Sequence, residues 1–259
     1  MRMGVSADLH SLAVAGKQRG GSFYDSPEVF ERYLGHRHSG VSSPNHVMEE
    51  PALLDELGIV TGLRVLDLGC GDAAIGPLLL NAGCRSYLGL DGSAAMVEAG
   101  NRALAGMSGR AALLDMEDFA APPSSFDLIV SRLAFHYVED LAPVLAACRA
   151  SLSPGGRIVF TVVHPVLTSH DPGGQGPRGN WVVDDYFRQG PRERSWLGST
   201  VTWFHRTVED YVAILASSGF VLTSLRECAP RADRFDGDAD ELARRRRVPL
   251  FLLLAGKCG

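Results

Sequence analysis

The chain has 259 residues, 46% of them hydrophobic, and a formal net charge of −5. That length predicts one domain with a sizeable core and room for a modest insertion. The acidic balance excludes a broad electrostatic surface for nucleic acid, and no run of about 18 apolar residues offers a membrane span.

Residues 1–20 are small and polar, break at Gly20-Gly21, and are expected to be flexible. Nothing there has the apolar run of a signal peptide, so a cytoplasmic protein is expected. Short helices are expected between Ser26 and Leu57, interrupted by the polar stretch GHRHSGVSSPNH. A regular alternation then begins. LRVLDL (63–68) predicts a buried strand, and the apolar stretch after it carries Ile75, Leu78, Leu79 and Ala82 at helical spacing. SYLGL (86–90) is the second strand, followed by a helix through Met96, Val97 and Leu104. AALLD (111–115) and FDLIV (126–130) are the third and fourth strands. A helix over 139–152 puts Leu141, Val144, Leu145, Cys148 and Leu152 on one face, and Pro154-Gly155-Gly156 turns the chain into RIVFTVV (157–163). Strands alternating with helices at this spacing predict a parallel sheet covered on both faces.

Residues 164–206 break the rhythm. They are rich in Gly and Pro, carry Trp181, Tyr186, Phe187, Trp196 and Trp203, and have no clear period. A stretch of this kind is usually functional or mobile. Helical spacing returns in TVEDYVAILASSGF, where Thr207 and Asp210 form a capping signal and Gly219 a stop. FVLTSL (220–225) and PLFLLLAG (249–256) bring the strand count to seven, and the charged stretch 233–247 between them reads as solvated. Five cysteines, at 70, 84, 148, 228 and 258, have neither metal-ligand spacing nor a paired framework. They read as reduced thiols, with Cys84 and Cys148 on packed helices and no metal centre.

Gly69-Cys70-Gly71-Asp72-Ala73-Ala74 fits G-x-G-x-x-G/A between a strand and a helix, and Asp91 ends the second strand 20 residues after Gly71. An NAD(P)-dependent oxidoreductase is therefore one candidate. Charge argues against it. A pyrophosphate wants backbone N–H groups without carboxylates beside them, and Asp67 and Asp72 would oppose it. The ammonium and sulfonium of S-adenosylmethionine make the same acids useful, and Asp67 is expected to offset that positive end.

D-x-G-x-G at 67–71 resembles the first motif of class I S-adenosylmethionine-dependent methyltransferases. GLDGS (89–93), LLDMEDF (113–119), FDLIVSRLAFHYVED (126–140) and LSPGGRIVFTVVHP (152–165) resemble the motifs that follow it. The likeness runs from about Tyr24 to Gly256. It is closest to bacterial small-molecule methyltransferases, through DSPEVF (25–30), VHP (163–165) and HRTVEDY (205–211).

The resemblance implies an α/β fold: a Rossmann-like, seven-stranded, mostly parallel sheet with the last strand antiparallel and helices on both faces. Residues 1–57 become an N-terminal lid segment and 58–259 the methyltransferase domain, with a substrate cap at 166–206. The implied cofactor site holds Asp67, Gly69, Cys70 and Gly71 at the loop, Asp91 and Gly92 at the ribose, and Asp115 and Met116 at the adenine. Tyr24 and Tyr33 would close over it, although a short amphipathic helix explains them equally well. Asp67, Asp91 and Asp115 also have duller roles open to them as turn or helix caps. Arg132, where resembling proteins place a small polar residue, is grouped with this site. An acidic substrate group, the surroundings of Asp115 and a salt bridge are all open to it. SRLA (131–134) lacks the N/D-P-P-Y signature, which argues against DNA-adenine or protein-glutamine acceptors.

Methyl transfer needs aligned atoms and excluded water, and a base helps when the acceptor is a hydroxyl or a protonated amine. His136, His164 and His205 fall on the rim where the methyl would point and are the candidate catalytic residues, each with a structural reading beside it. The aromatic residues of the insertion suit a cap over a small hydrophobic or aromatic metabolite, as in natural-product biosynthesis, with an O, N or C acceptor. A protein that binds S-adenosylmethionine without turnover is the other alternative. A monomer or homodimer is expected, with no nucleic-acid or membrane partner.

Overall fold

The computed structural model of the chain describes residues 20–38, 43–169 and 181–259. The flexibility expected of residues 1–19 lies outside the described residues, as do 39–42 of the polar stretch and 170–180 of the insertion. Three helices come first: α1 (Gly20–Phe23), α2 (Pro27–His38) and α3 (Glu50–Leu57), the last preceded by a π-helical turn at Asn45–Glu49. The alternating part follows as β1 (Arg64–Leu68), α4 (Gly76–Asn81), β2 (Ser86–Asp91), α5 (Ala94–Ala103), β3 (Gly109–Leu113), β4 (Phe126–Arg132), α6 (Leu141–Ser151) and β5 (Leu152–Val163). After α7 (Pro165–Thr168) come β6 (Gly190–Trp196), β7 (Ser199–His205), α8 (Val208–Ser217), β8 (Phe220–Glu227), α9 (Ala239–Arg245) and β9 (Phe251–Cys258).

Seven strands form one sheet in the order β3-β2-β1-β4-β5-β9-β8. The first five are parallel, and β9 runs antiparallel between β5 and β8. Chain order reverses between β1 and β4, the switch point at which open α/β sheets hold their ligands. Alternation along β1 sorts its side chains to two cores. Val65 joins Leu53, Leu57, Leu79 and Leu128 on the face covered by α3 and α4. Leu66 and Leu68 join Leu145, Phe160 and Leu215 on the face of α6 and α8. Each such fully buried side chain contributes roughly 1.5–3 kcal/mol.

The boundaries move in places. β3 lies two residues earlier than expected because Gly109 pairs with Tyr87 and Leu113 with Asp91, which leaves Asp115 beyond the strand. Cys84 is buried in the turn between α4 and β2 rather than on a helix. The insertion contains an element its sequence did not announce: β6 and β7 pair as an antiparallel hairpin around Leu197-Gly198. Both turn residues have positive φ, 51° and 76°, the two-residue arrangement that fits the strand twist. The capping box at Thr207 and Asp210 forms as its spacing predicts. No helix among the described residues is long and apolar enough to cross a membrane.

Candidate functional site

The loop after β1 is held from two sides. Gly69 and Cys70 donate their N–H groups to the Leu90 carbonyl at 2.8 and 3.1 Å, and the Gly71 N–H donates to Asp91 Oδ2 at 2.8 Å. Gly69 has φ 71°, and a Cβ there would lie 2.4 Å from that of Ala134 and 2.9 Å from Met116 Cε. Glycine thus serves both a left-handed turn and a close approach of three segments. Asp91 spends its other oxygen, Oδ1, on the Ser93 N–H at 2.9 Å, so each oxygen fixes one backbone amide. Asp115 Oδ1 accepts from the Glu117 N–H at 2.9 Å and opens a short turn at Met116–Asp118.

These residues line one end of a cavity of about 440 Å³ at the switch point, within the range of small-molecule sites. Gly69, Gly71, Asp91, Gly92, Asp115 and Met116 all face it. Burial raises the pKa of Asp91, and the nearby Asp25 and Asp115 raise it further against the lowering by the two amides. Clustered carboxylates of this kind suit hydroxyl and amino donors such as ribose and adenine, and repel a pyrophosphate.

Asp67 and Cys70 do not line the cavity. By strand alternation Asp67 shares the face of Val65, and its Oδ2 accepts the Tyr87 O–H at 2.6 Å behind the loop. Cys70 is buried beneath the loop, where a Cβ on Gly89 would lie only 2.7 Å from its Sγ.

The N-terminal helices cover this end. A Cβ on Gly21 would fall 2.5 Å from the Gly92 backbone, and Asp25 Oδ1 accepts from the Ser93 hydroxyl at 2.7 Å. Tyr24 and Tyr33 face the cavity with ring centroids 5.4 Å apart, and the Tyr24 hydroxyl meets that of Tyr137 at 2.8 Å. Phe23, Val29 and the hairpin's Val201 form a small core of their own, with Trp196 and Trp203 against it. Arg32 Nη1 donates to the Leu197 carbonyl at 2.9 Å, which ties α2 to the hairpin turn. The far end of the cavity is walled by Trp181, Trp196, Trp203, Leu167, Leu250 and Phe251, with Arg194 beside them.

Arg132 also lines the cavity, but its guanidinium serves an acid pair that sequence reasoning did not name. Its Nε donates to Glu49 Oε2 at 2.7 Å and Nη2 to Glu50 Oε2 at 3.2 Å, while Glu49 Oε1 accepts the Thr161 hydroxyl at 2.8 Å. Burial alone would lower the pKa of Arg132, yet Glu49 and Glu50 more than reverse this and raise it. Besides lining the cavity, Arg132 clamps the π-helical turn whose Asn45 also faces it, a salt bridge being one of the roles left open to it.

The three histidines separate. His164 caps α7, its Nδ1 accepting from the Val166 N–H at 3.2 Å, with Nε2 3.2 Å from Glu227 Oε1. His205 meets the Thr168 hydroxyl at 2.6 Å through Nδ1 and donates through Nε2 to the Tyr186 carbonyl at 2.8 Å. Both are buried with both ring nitrogens engaged, and neither lines the cavity, which fits the structural reading of each. His136 does line it, in a 3₁₀ turn at Phe135–Tyr137. Its ring packs against Tyr137 and Trp203, with centroids 4.5 and 5.2 Å away.

Burial lowers the pKa of all three imidazoles, that of His136 to about 3 with help from the Arg206 charge. An unfolded chain takes these protons near pH 6.5, so it binds more of them than the folded one, and stability falls with decreasing pH. Urea unfolding at pH 7.5 and 5.0 should show that loss. Equal midpoints at the two values would contradict buried neutral imidazoles.

A Rossmann-like sheet whose added strand runs backwards, with an acid ending β2, another just past β3 and a third buried behind the glycine loop, departs from the all-parallel dinucleotide folds. It defines a class whose nucleoside ligand is S-adenosylmethionine. A family model described as a methyltransferase domain matches residues 66–160. An S-adenosylmethionine-dependent methyltransferase from Mesorhizobium loti superposes with a TM-score of 0.75 at 33% identity, over 84% of this chain and 100% of that one. A Haemophilus influenzae protein of uncharacterized role is 31% identical over 218 residues, 80% of this chain and 85% of its own. The ubiquinone biosynthesis O-methyltransferase of Ralstonia nicotianae is 30% identical over 111 residues, 40% of this chain and 45% of that one. The chain belongs to the class I S-adenosylmethionine-dependent methyltransferases.

Proposed function

We propose that this methyltransferase acts on a small hydrophobic or aromatic metabolite, of the kind met in secondary metabolism. The observation that carries the reading is the continuity of the cavity. Its acid-lined end at Asp91 and Asp115 runs into a chamber walled by the tryptophans of the insertion. When bound, S-adenosylmethionine supplies an activated methyl group. Asp91 would hold the ribose and Asp115 the adenine amino group, while the Gly69–Gly71 backbone lets the cofactor approach. Tyr24 and Tyr33 would close over it and exclude water. The chamber's apolar walls would then align a flat acceptor, and alignment alone can supply roughly 7–11 kcal/mol of barrier reduction. A relative with a ubiquinone-biosynthetic O-methyltransferase name fits an acceptor of this polarity.

Incubation with S-adenosylmethionine and a panel of phenols, arylamines, hydroxylated polycycles and polar amino acids tests the reading. Release of S-adenosylhomocysteine should be confined to the apolar aromatic members. Turnover of the polar amino acids alone would refute it.

A further inference from the structure

Two polar side chains of the cavity come together at the π-helical turn before α3. Arg132 lines the cavity and keeps only 10% of its side chain accessible. Its Nε and Nη2 are spent on Glu49 and Glu50, and Nη1 has no hydrogen-bond partner among the described residues. Asn45 opens the same turn and also faces the cavity. The Glu50 N–H donates to the Asn45 carbonyl, so Asn45 sits one π-helical turn from an acid that Arg132 holds. Such a turn is rare and frequently marks a functional site.

The guanidinium is fixed before any ligand arrives. Leu133, next in the chain, has φ 53°, a left-handed conformation that a leucine keeps only where its surroundings impose it. Its N–H donates to the Thr161 carbonyl at 2.9 Å and meets Thr161 Oγ1 at 3.2 Å, and that hydroxyl donates to Glu49 Oε1. The constraint closes a ring through Thr161 and Glu49 back to Arg132. Two residues on, Ala134 packs on Gly69, so this preset fork stands close to the cofactor loop.

In the open cavity solvent serves the Nη1 hydrogens. A flat acceptor that fills the chamber displaces this solvent and strands a charged donor, unless it brings an oxygen of its own. A site built in this way rejects an analogue that lacks the group. The charge around the fork decides which oxygen. Arg132 faces two carboxylates, and Glu50 spends its other oxygen, Oε1, on His46 Nδ1 at 3.1 Å. With a protonated His46 the set is neutral, and otherwise it carries one net negative charge. Neither case leaves a spare positive charge for a carboxylate, the acidic substrate group open to Arg132 on sequence alone. A carbonyl oxygen accepts hydrogen bonds without bringing a charge.

Resting on the methyltransferase reading, we propose that Arg132 and Asn45 form a specificity subsite for a carbonyl oxygen of the acceptor. The acceptor is then a flat molecule bearing a ketone, quinone, ester or amide. Its C=O takes one N–H from Arg132 Nη1 and one from the Asn45 amide. The few polar groups of an apolar site fix a ligand's orientation, so this bond sets which edge of the acceptor is turned to the cofactor.

The test uses the full chain saturated with S-adenosylhomocysteine and three probes of one shape: acetophenone, α-methylstyrene and benzoate. NMR titration of the wild type should give at least about tenfold tighter binding for acetophenone than for either of the others, a ratio worth about 1.4 kcal/mol. Arg132→Met combined with Glu49→Gln removes the fork without stranding a buried acid. It should bring the ketone-to-alkene ratio below about twofold, with S-adenosylhomocysteine affinity unchanged. Asn45→Leu leaves the buried ion pairs in place and should lower the same ratio by about threefold, the loss of one neutral hydrogen bond. It decides the matter if the double variant fails to fold. Equal binding of acetophenone and α-methylstyrene by the wild type, or benzoate binding as tight as the ketone's, overturns the proposal. So does a ratio that survives in the double variant or is unchanged in Asn45→Leu. A wild type that binds S-adenosylhomocysteine but none of the probes overturns it too, whereas failure to bind S-adenosylhomocysteine overturns the underlying cofactor reading.

Discussion

Replacing Asp91 with alanine should weaken S-adenosylhomocysteine binding by at least about 100-fold, or about 2.7 kcal/mol, in a protein that still folds. Hydrogen bonds to a charged group contribute about 1.5–3 kcal/mol each, and a ribose offers two hydroxyls to this carboxylate. The substitution also frees the Gly71 and Ser93 amides that Asp91 now fixes, so the loop loses its shape together with its charge. Asparagine should be nearly as damaging. One of its two positions would be an NH₂ facing an N–H that needs an acceptor. Acidification should act in the same direction, because ribose hydroxyls donate to the ionised form. The pKa of Asp91 is raised by its burial and by neighbouring acids, so affinity should begin to fall at a higher pH than an ordinary aspartate would give. Titration calorimetry reads both effects, and an Asp91→Ala affinity within threefold of wild type would remove this residue from the cofactor site.

Arg132→Ala should lower unfolding stability by about 3–5 kcal/mol, because it strands a buried charge. Glu49 is fully buried and would keep, among the described residues, only the Thr161 hydroxyl as a hydrogen-bond partner. The cost comes from the acid left behind, not from any intrinsic strength of the ion pair. Arg132→Met combined with Glu49→Gln should therefore recover most of the loss, since a buried pair can often be exchanged for neutral groups at little net cost. Urea midpoints of the single and double variants give the comparison. A single variant that loses under 1 kcal/mol would mean that water reaches Glu49.

Most of the sheet could be read from the chain because each parallel strand is a short apolar run bounded by glycine, proline or an acid. Asp91 and Asp115 could be read for the same reason, as the residues at which apolar runs stop. The orientation of Asp67 was also there to be read. It sits two residues after Val65, and alternation sends both side chains to the face that holds Tyr87. The hairpin of the insertion was hidden. GPRERSW has no apolar alternation, and Leu197-Gly198 lacks the Asn-Gly signature of a two-residue turn. The partners of Arg132 lie 82 and 83 residues away, Glu227 lies 63 from His164, and Thr168 and Tyr186 lie 37 and 19 from His205. No local period encodes such pairings. They decide whether a histidine is a structural cap or is left open to a ligand.

The reversed strand at the end of the chain also sets an order of assembly. Among the described residues β8 has only β9 as a neighbour in the sheet, so residues 220–227 have no such edge to join until residues 251–258 have been made and inserted beside β5. Because β9 runs backwards, its first residue, Phe251, pairs with Val163 at the rim, and both line the cavity. During synthesis the glycine loop and its acids can form early, from β1 to β4. The chamber opposite them gains its last wall only when β9 arrives, so the end of the cavity lined by the glycine loop and its acids is built before the end walled by Leu250 and Phe251.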